Sequence, residues 1–234
     1  MSNTTGLGEP RQYGLADELG LRITDEADVE CHGYETVHQR SLSLTEQLLT
    51  VEEQHDLCLA RAGRWLSDTL DWTEAYVDRA RQMVSRDKNH PGIVTRSLGN
   101  EAFQGRNFQA MYDWVKAHDD TRPVHKEADV DARIADIIST MYPPLHKMES
   151  FVGTWDGKKP MLLCQFMHTM GNDPVNIKDY IDLFYAHSCL TRRLGYYGYG
   201  GSFSETHHDG YFIMDGVLTS EHRPGPALDE YKKH

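Results

Sequence analysis

Residues 92–101 read "GIVTRSLGNE", a short run of strand-forming residues that ends in an amide and a carboxylate. The next segment, "FQAMYDWVKAHD" at 108–119, carries apolar residues at helical spacing, and "RPVHKEAD" at 122–129 returns to the pattern of a strand. Strands that alternate with helices at this spacing are typical of parallel βα units, whose strands are buried on both faces. The stretch therefore predicts an α/β fold built on a parallel sheet.

The same alternation runs through the rest of the chain. On the amino-terminal side, "RQYGLADEL" at 11–19 predicts a helix capped by Gly20, and residues 44–86 are mostly helical in pattern. On the carboxyl-terminal side, "KPMLLCQFMH" at 159–168 predicts a strand, and "IKDYIDLFYAHS" at 177–188 predicts a helix.

Composition limits the class of protein. With 234 residues, 39% of them hydrophobic, the chain can bury a core, and we expect a flexible N-terminus at 1–10 and a single domain over 11–234. The formal net charge of −12 argues against a nucleic-acid partner, because binding phosphates requires clustered Lys and Arg. Neither a signal peptide nor a membrane-spanning apolar run is recognisable, so we expect a cytoplasmic protein with no membrane partner. Widely spaced cysteines predict reduced packing residues: Cys31, Cys58, Cys164 and Cys189.

Polar side chains gather where the predicted strands end, which is where parallel α/β folds carry their functional groups. Glu30 and His32 flank one residue, so an extended chain points both to the same side. With Glu101 from the next strand they form an oxygen-rich set that suits Mg²⁺ or Mn²⁺. A solvated acidic loop with a hydrogen-bonded histidine explains the same spacing, and both interpretations stay open. The three clusters are Asp25, Glu26, Asp28, Glu30 and His32; Asn100 and Glu101; Gln165 and His168.

Several long segments, in order, resemble landmarks of the catalytic barrel of family 2 glycoside hydrolases, the β-galactosidases, and are more like fungal than bacterial members. The resemblance implies a (β/α)8 TIM-barrel-like domain and covers the chain from about residue 10 to its end. The segments that carry it are "DEADVECHG" at 25–33, "RDKNHPGIVTRSLGNEAF" at 86–103, "DTRPVHKEAD" at 120–129, "PMLLCQFMHTMGN" at 160–172 and "MDGVLTSEHRPGPALDEYK" at 214–232.

The resemblance also implies roles for single residues. Glu101 matches the general acid/base and Asn100 a sugar contact, while Glu30, His32 and Glu101 match the magnesium ligands. His168 matches another sugar contact, but Gln165 stands where the family has its nucleophilic glutamate. Retaining hydrolysis needs two carboxyl groups about 5 Å apart, and an amide is a poor nucleophile. We therefore expect β-galactosidase activity to be absent or crippled.

Other positions depart from the family pattern. Arg96 replaces a tryptophan and Lys126 a tyrosine; with Glu127 and Asn100 they are candidate substrate-binding residues. The first barrel strands are not recognisable, and only "TRR" at 191–193 remains of the last strand, which carries a sugar-stacking tryptophan. We therefore expect an incomplete or rearranged barrel, and a homodimer that covers its open strand edges.

Two classes of function follow from these departures. In the first, the protein is a repurposed enzyme that uses Glu101 and a divalent ion for an isomerisation, elimination or cyclisation of a small molecule. His168, His207 and His208 are then secondary candidates for proton transfer. In the second, it is a non-catalytic sugar- or partner-binding pseudoenzyme, or it keeps residual glycosidase activity. An inverting hydrolase would need a base such as Glu127 or Asp129.

Overall fold

The computed structural model describes residues 9–165, 177–192, 199–200, 218–219, 223–224, 228 and 233. The chain divides into two compact units, one within Asn3–Ser139 and one within Thr140–His234. In the described part of the chain, no helix has both the length and the apolar character needed to span a lipid bilayer.

The first unit is a parallel βα arrangement, as the alternating pattern predicts. Its strands β1 (Ile23–Glu26), β2 (Ile93–Ser97) and β3 (Val124–His125) pair in that order. Asp25 lies opposite Arg96, and Ser97 lies opposite His125. A single parallel bridge from His125 to Ile137 extends this sheet. The elements in chain order are α1 (Pro10–Leu19), β1 (Ile23–Glu26), α2 (Gly33–Arg40), α3 (Val51–Gly63), α4 (Thr73–Asp87), β2 (Ile93–Ser97), α5 (Arg106–His118) and β3 (Val124–His125).

Helices α4 and α5 supply most of the core of this unit. Tyr76 of α4 and Phe108 of α5 meet edge to face, with ring centroids 5.3 Å apart. Both are buried, together with Ala80 and Met83, whereas Trp72 is 46% exposed because it lies in the turn before α4 begins. The buried face of α4 therefore begins at Tyr76 and does not include Trp72.

The second unit carries another three-stranded sheet, in the order β4-β5-β6, in which β5 and β6 are parallel. Met161 of β5 pairs with Leu190 of β6. The sequence pattern predicts helix α7 (Ile177–Ala186) but not helix α6 (Leu145–Thr154). The elements are β4 (Ile138–Met141), which begins at the boundary of the unit, α6 (Leu145–Thr154), β5 (Met161–Gln165), α7 (Ile177–Ala186), β6 (Leu190–Arg192), β7 (Tyr199–Gly200) and β8 (Leu218–Thr219).

The barrel is incomplete, as expected. Over the described residues the strands form sheets of three, three and two strands, and no closed eight-stranded barrel is present. A three-residue strand, β6, does form at Leu190–Arg192, where the sequence suggests only a remnant. The sequence has no tryptophan beyond Trp155, so this strand carries no sugar-stacking indole.

Candidate metal and acid/base site

Three of the predicted site residues come together in the first unit. Glu30, His32 and Glu101 each offer one ligand atom, and these atoms lie within 4.8 Å of one another. His32 Nδ1 is 2.9 Å from Glu101 Oε2. The three side chains lie on the loops that follow β1 and β2, whose carboxyl ends are neighbours in the sheet.

Gly99 allows these two loops to approach each other. Its φ of +134° is a conformation that favours glycine, and a Cβ at this position would lie 2.6 Å from the Val29 carbonyl oxygen. The close approach lets the Asn100 backbone N–H donate to Val29 O at 3.0 Å. The Asn100 side chain then donates to Glu30 Oε2 at 2.8 Å. Asn100 therefore holds a candidate ligand directly.

Glu101 combines an unusual backbone with an accessible carboxylate. Its φ is +35°, in the left-handed region that non-glycine residues rarely adopt, and Phe103 has a φ of +61°. Such residues cost about 1–3 kcal/mol each and persist where the surrounding structure fixes them. The Glu101 side chain is 33% exposed, so a ligand can reach it.

Two acidic side chains at this site, Glu30 and Glu127, have raised pKa values, so their surroundings disfavour the charged form. Burial raises the pKa of Glu30, although its hydrogen bond from Asn100 opposes the shift, and the nearby charge of Glu101 raises it further. Burial also raises the pKa of Glu127. The charge of Lys126 opposes this shift, and the charges of Glu101 and Glu26 add to it. A cation among these carboxylates would relieve both effects, which is the electrostatic condition for a metal site.

Arg96, a candidate substrate-binding residue, does not face this site. Its side chain is fully buried, pairs with Asp25 and lies 3.0 Å from Asp119, which follows α5. Asp25 also accepts a hydrogen bond from Tyr13 of α1 at 2.7 Å. Because successive strand side chains point to opposite faces, Arg96 lies on the helix side of the sheet. Its role is structural.

Lys126, another candidate substrate-binding residue, is likewise turned toward the core. It is 1% exposed, and its ammonium group lies 4.7 Å from the centre of the Phe108 ring of α5. This is a cation–π contact in a buried setting. Lys126 also donates to the Glu127 carbonyl oxygen.

Glu127 and Asp129, the alternative bases, differ in their surroundings. The Glu127 carboxylate accepts the backbone N–H of Glu101 and is 7% exposed. The Asp129 carboxylate accepts three backbone N–H groups, from Arg133 at 2.9 Å and from the next two residues at 3.0 Å each. Asp129 therefore fixes its own loop, and Glu127 is the better placed of the two for proton transfer beside Glu101.

Gln165 ends β5 in the second unit, where it is 7% exposed. Its Oε1 accepts a hydrogen bond from the Tyr142 hydroxyl, and the Tyr142 backbone N–H donates to the Gln165 carbonyl oxygen at 2.9 Å. Sequence reasoning did not single out Tyr142; its place directly after β4 was the available signal. The other candidates, His168, His207 and His208, lie outside the described residues.

Comparisons with known proteins agree with the resemblance. The sequence model of glycosyl hydrolases family 2, TIM barrel domain, matches residues 8–234. The β-galactosidase of Kluyveromyces lactis is 42% identical over 96% of this chain and 24% of its own length. That of Pectobacterium atrosepticum is 32% identical over 96% and 22%. The chain thus spans about a quarter of the length of these curated relatives.

A solved structure supports the fold. The crystal structure of Ruminococcus gnavus β-glucuronidase superposes with a TM-score of 0.65 at 15% identity, and covers 99% of this chain and 43% of that one. At this identity the likeness supports the barrel-type fold and no more.

Proposed function

Because this chain belongs to glycosyl hydrolase family 2, we propose that it is a β-galactosidase-like protein that has lost retaining hydrolysis and uses its acid/base residues for other chemistry. The observation that carries the proposal is the meeting of Glu30, His32 and Glu101 within 4.8 Å, in a chain whose nucleophile position is Gln165.

The loss of hydrolysis follows from the chemistry of an amide. A carboxamide carries no negative charge, so it neither attacks an anomeric carbon nor stabilises a developing oxocarbenium ion. In a hydrolase whose catalytic residues act as a unit, removing the nucleophile lowers kcat by about 10⁶-fold. The Tyr142 hydroxyl holds Gln165 Oε1, which further commits that oxygen to a hydrogen bond.

The remaining residues fit a divalent cation of the Mg²⁺ or Mn²⁺ type. Two carboxylates and one imidazole converge, and both kinds of ligand suit these ions when water completes the coordination. When bound, such an ion would supply positive charge for a substrate oxygen that becomes negative during reaction. Asn100 holds Glu30 in place, and Glu101, which is part exposed, meets the substrate.

The reaction class that these groups support is proton transfer within one small molecule. Glu101 takes a proton from a carbon or hydroxyl group and returns it to another atom of the same substrate, so no co-reactant is needed. Isomerisation, elimination and cyclisation are of this kind. A sugar or a related polyol is the proposed substrate class, because the relatives named above are β-galactosidases.

Exchange with deuterated solvent tests this proposal. Sugars and their lactones are incubated with the protein and Mg²⁺ in D₂O, and deuterium at carbon is measured by NMR and mass spectrometry. We expect incorporation by the wild type and by Glu52→Gln, an exposed acid on α3, but not by Glu101→Gln. Hydrolysis of an aryl β-galactoside by the wild type at the rate of an active relative would contradict the loss of hydrolysis.

A second candidate function is sugar binding without turnover. The contact between Tyr142 and Gln165 favours it, because an oriented amide can hydrogen-bond a sugar that it does not attack. Binding of galactose measured by calorimetry, together with no exchange of deuterium into any substrate, would favour this function over the first.

We also propose that the protein acts in the cytoplasm and as a homodimer. All four cysteines are free, as the sequence predicts, and free thiols are usual in a reducing compartment. Leu44, Leu48 and Val51 lie within one short segment and are each more than four-fifths exposed. Exposed apolar residues this close together are typical of a contact surface.

A further inference from the structure

A buried carboxylate lies directly behind the candidate metal site and has no part in the proposed function. Glu35 is on the first turn of α2, three residues after His32, and is 8% exposed. Its Oε1 accepts hydrogen bonds from Gln39 Nε2 at 2.6 Å and from His55 Nδ1 at 3.0 Å. Its other oxygen, Oε2, faces His32 Nε2 at 3.8 Å.

The two nitrogens of the His32 ring therefore face different groups. Nδ1 points to Glu101 at 2.9 Å, inside the cluster, while Nε2 points away from it to Glu35. An imidazole that binds a cation through one nitrogen almost always donates the N–H of the other to a carboxylate, a carbonyl or water, which fixes both tautomer and ring orientation. The separation of 3.8 Å exceeds the length of a hydrogen bond. A small rotation of the ring would shorten it to that length, or one water molecule would bridge it.

The support of Glu35 extends to a second helix. His55 belongs to α3, whereas Gln39 lies one turn further along α2, so the carboxylate is held from two helices on its Oε1 side. A carboxylate restrained in this way can restrain the ring that it faces. Helix packing alone does not require Oε2 to point at a candidate ligand.

We propose that Glu35 is a positioning residue that accepts the Nε2–H of His32 when the lone pair of Nδ1 binds a cation held by Glu30 and Glu101. This inference rests on the proposed function, since it assumes that the three residues bind a divalent cation. It adds a residue for which the family resemblance implies no role.

The Nε2–H proton of His32 is the first readout, and it is recorded with Mg²⁺ bound, because without a cation the Glu101 carboxylate oxygen 2.9 Å from Nδ1 favours a proton on that nitrogen. Nitrogen-15 NMR at pH 8 distinguishes a protonated from an unprotonated ring nitrogen, and the His32 signals are assigned by their loss in His32→Gln. We expect a slowly exchanging Nε2–H signal in the wild type and in the control Glu52→Gln, and a signal broadened by proton exchange with solvent in Glu35→Leu. Glu35→Gln removes the charge while keeping an acceptor, so its broadening should be intermediate.

The affinity for Mn²⁺ is the second readout, followed by the electron paramagnetic resonance signal of the free ion. Losing a partner behind a metal-binding histidine weakens the affinity by about 10–100-fold, and we expect a loss of this size in Glu35→Leu. Glu52→Gln should bind like the wild type. Circular dichroism shows whether each variant is folded, and if Glu35→Leu is not, Glu35→Gln and His55→Gln replace it, with smaller expected losses.

The two readouts separate this inference from the proposed function. If Glu35→Leu keeps both the wild-type Nε2–H signal and the wild-type Mn²⁺ affinity, Glu35 only joins α2 to α3, and the inference is wrong. If the wild type binds neither Mn²⁺ nor Mg²⁺, the proposed metal site is overturned and this inference falls with it.

Discussion

Replacing Arg96 with methionine should remove a large part of the stability of the first unit. Arg96 is fully buried and is the cation between the Asp25 and Asp119 carboxylates, which are 0% and 7% exposed. Methionine fills a similar volume but leaves both anions without this partner. In this variant Asp119 would still form an ion pair with Arg122 at 3.0 Å, and Asp25 would still accept the hydrogen bond from the Tyr13 hydroxyl.

The magnitude follows from the cost of an uncompensated buried charge. Breaking a buried ion pair by removing one partner costs about 3–5 kcal/mol, because the other charge stays desolvated. The total free energy of unfolding of a domain is about 5–15 kcal/mol, so this loss is a large fraction of it. The matched control is Arg81→Met: Arg81 is 43% exposed and contacts Glu74 and Asp78 at 3.1 Å, and such pairs contribute about 0–1 kcal/mol.

The cost should also depend on pH, through Asp25. Burial raises the pKa of Asp25 to about 6, above its ordinary value of 3.8, although Tyr13 and Arg96 both lower it. A raised pKa in the folded protein means that the contribution of this group is greatest below pH 3.8 and is lost as the pH rises through 6. Without Arg96 the pKa of Asp25 rises further, so Arg96→Met should cost more at pH 8 than at pH 5.

Urea unfolding followed by tryptophan fluorescence measures this cost. Trp65, Trp72 and Trp114 lie in the first unit and Trp155 in the second, so a Trp155→Phe background confines the signal to the unit of interest. A loss below about 1 kcal/mol for Arg96→Met, or an equal loss at both pH values, would refute the view that Arg96 neutralises two buried carboxylates.

Four further predictions concern the site and the assembly. Gln165→Glu should not restore hydrolysis of an aryl galactoside, because the sugar-stacking tryptophan is also missing. Gln12→Glu is the control. Robust turnover by Gln165→Glu alone would contradict the view that the pocket has changed purpose. Calorimetric titration with Mg²⁺ or Mn²⁺ should give binding heat for the wild type but not for Glu30→Ala, and equal heats would remove the metal site. Gly99→Ala should cost more than about 2 kcal/mol in urea unfolding, because its φ is +134° and its Cβ would meet a backbone oxygen at 2.6 Å. Gly20→Ala, with a φ of +66° and open space around it, should cost about 1 kcal/mol, and equal costs would contradict the steric argument. Sedimentation equilibrium should give the mass of a dimer, and a monomer at all concentrations would exclude the homodimer.

Periodicity predicted the elements whose buried face is strong. Helix α5 buries Phe108, Met111 and Val115 at helical spacing, and α1 ends at Gly20, whose left-handed φ of +66° is the expected cap. Helix α6 was missed because Met148 is its one buried residue and Pro144 precedes it. A pattern with a single buried position does not distinguish a helix from a loop.

The face of a strand residue is harder to predict from a family pattern. The resemblance placed Arg96 at a tryptophan position and so suggested a substrate contact. In the structure the neighbouring Ser97 donates to Glu26 on one face of the sheet, and the Asp25–Arg96 pair therefore lies on the opposite face. A charged residue in that position found partners in Asp25 and Asp119, and only the packed structure shows both. The convergence of Glu30, His32 and Glu101, in contrast, follows from parallel strand ends and was foreseen as one of two interpretations.

The positive φ values around the site could not be predicted, and they bear on how the site is maintained. The loop that carries Glu101 is fixed from outside the site: Ser67 donates to the Ala102 carbonyl oxygen, and a Cβ on Gly105 would lie 2.0 Å from the Ser67 carbonyl oxygen. These contacts, like the metal-ligand candidates, belong to the first unit, whereas Gln165 belongs to the second. The strain at Glu101 is thus balanced by packing that does not involve Gln165. An amide at position 165 therefore need not disturb the geometry of Glu30, His32 and Glu101, so the proposed loss of hydrolysis and the proposed metal site are physically compatible.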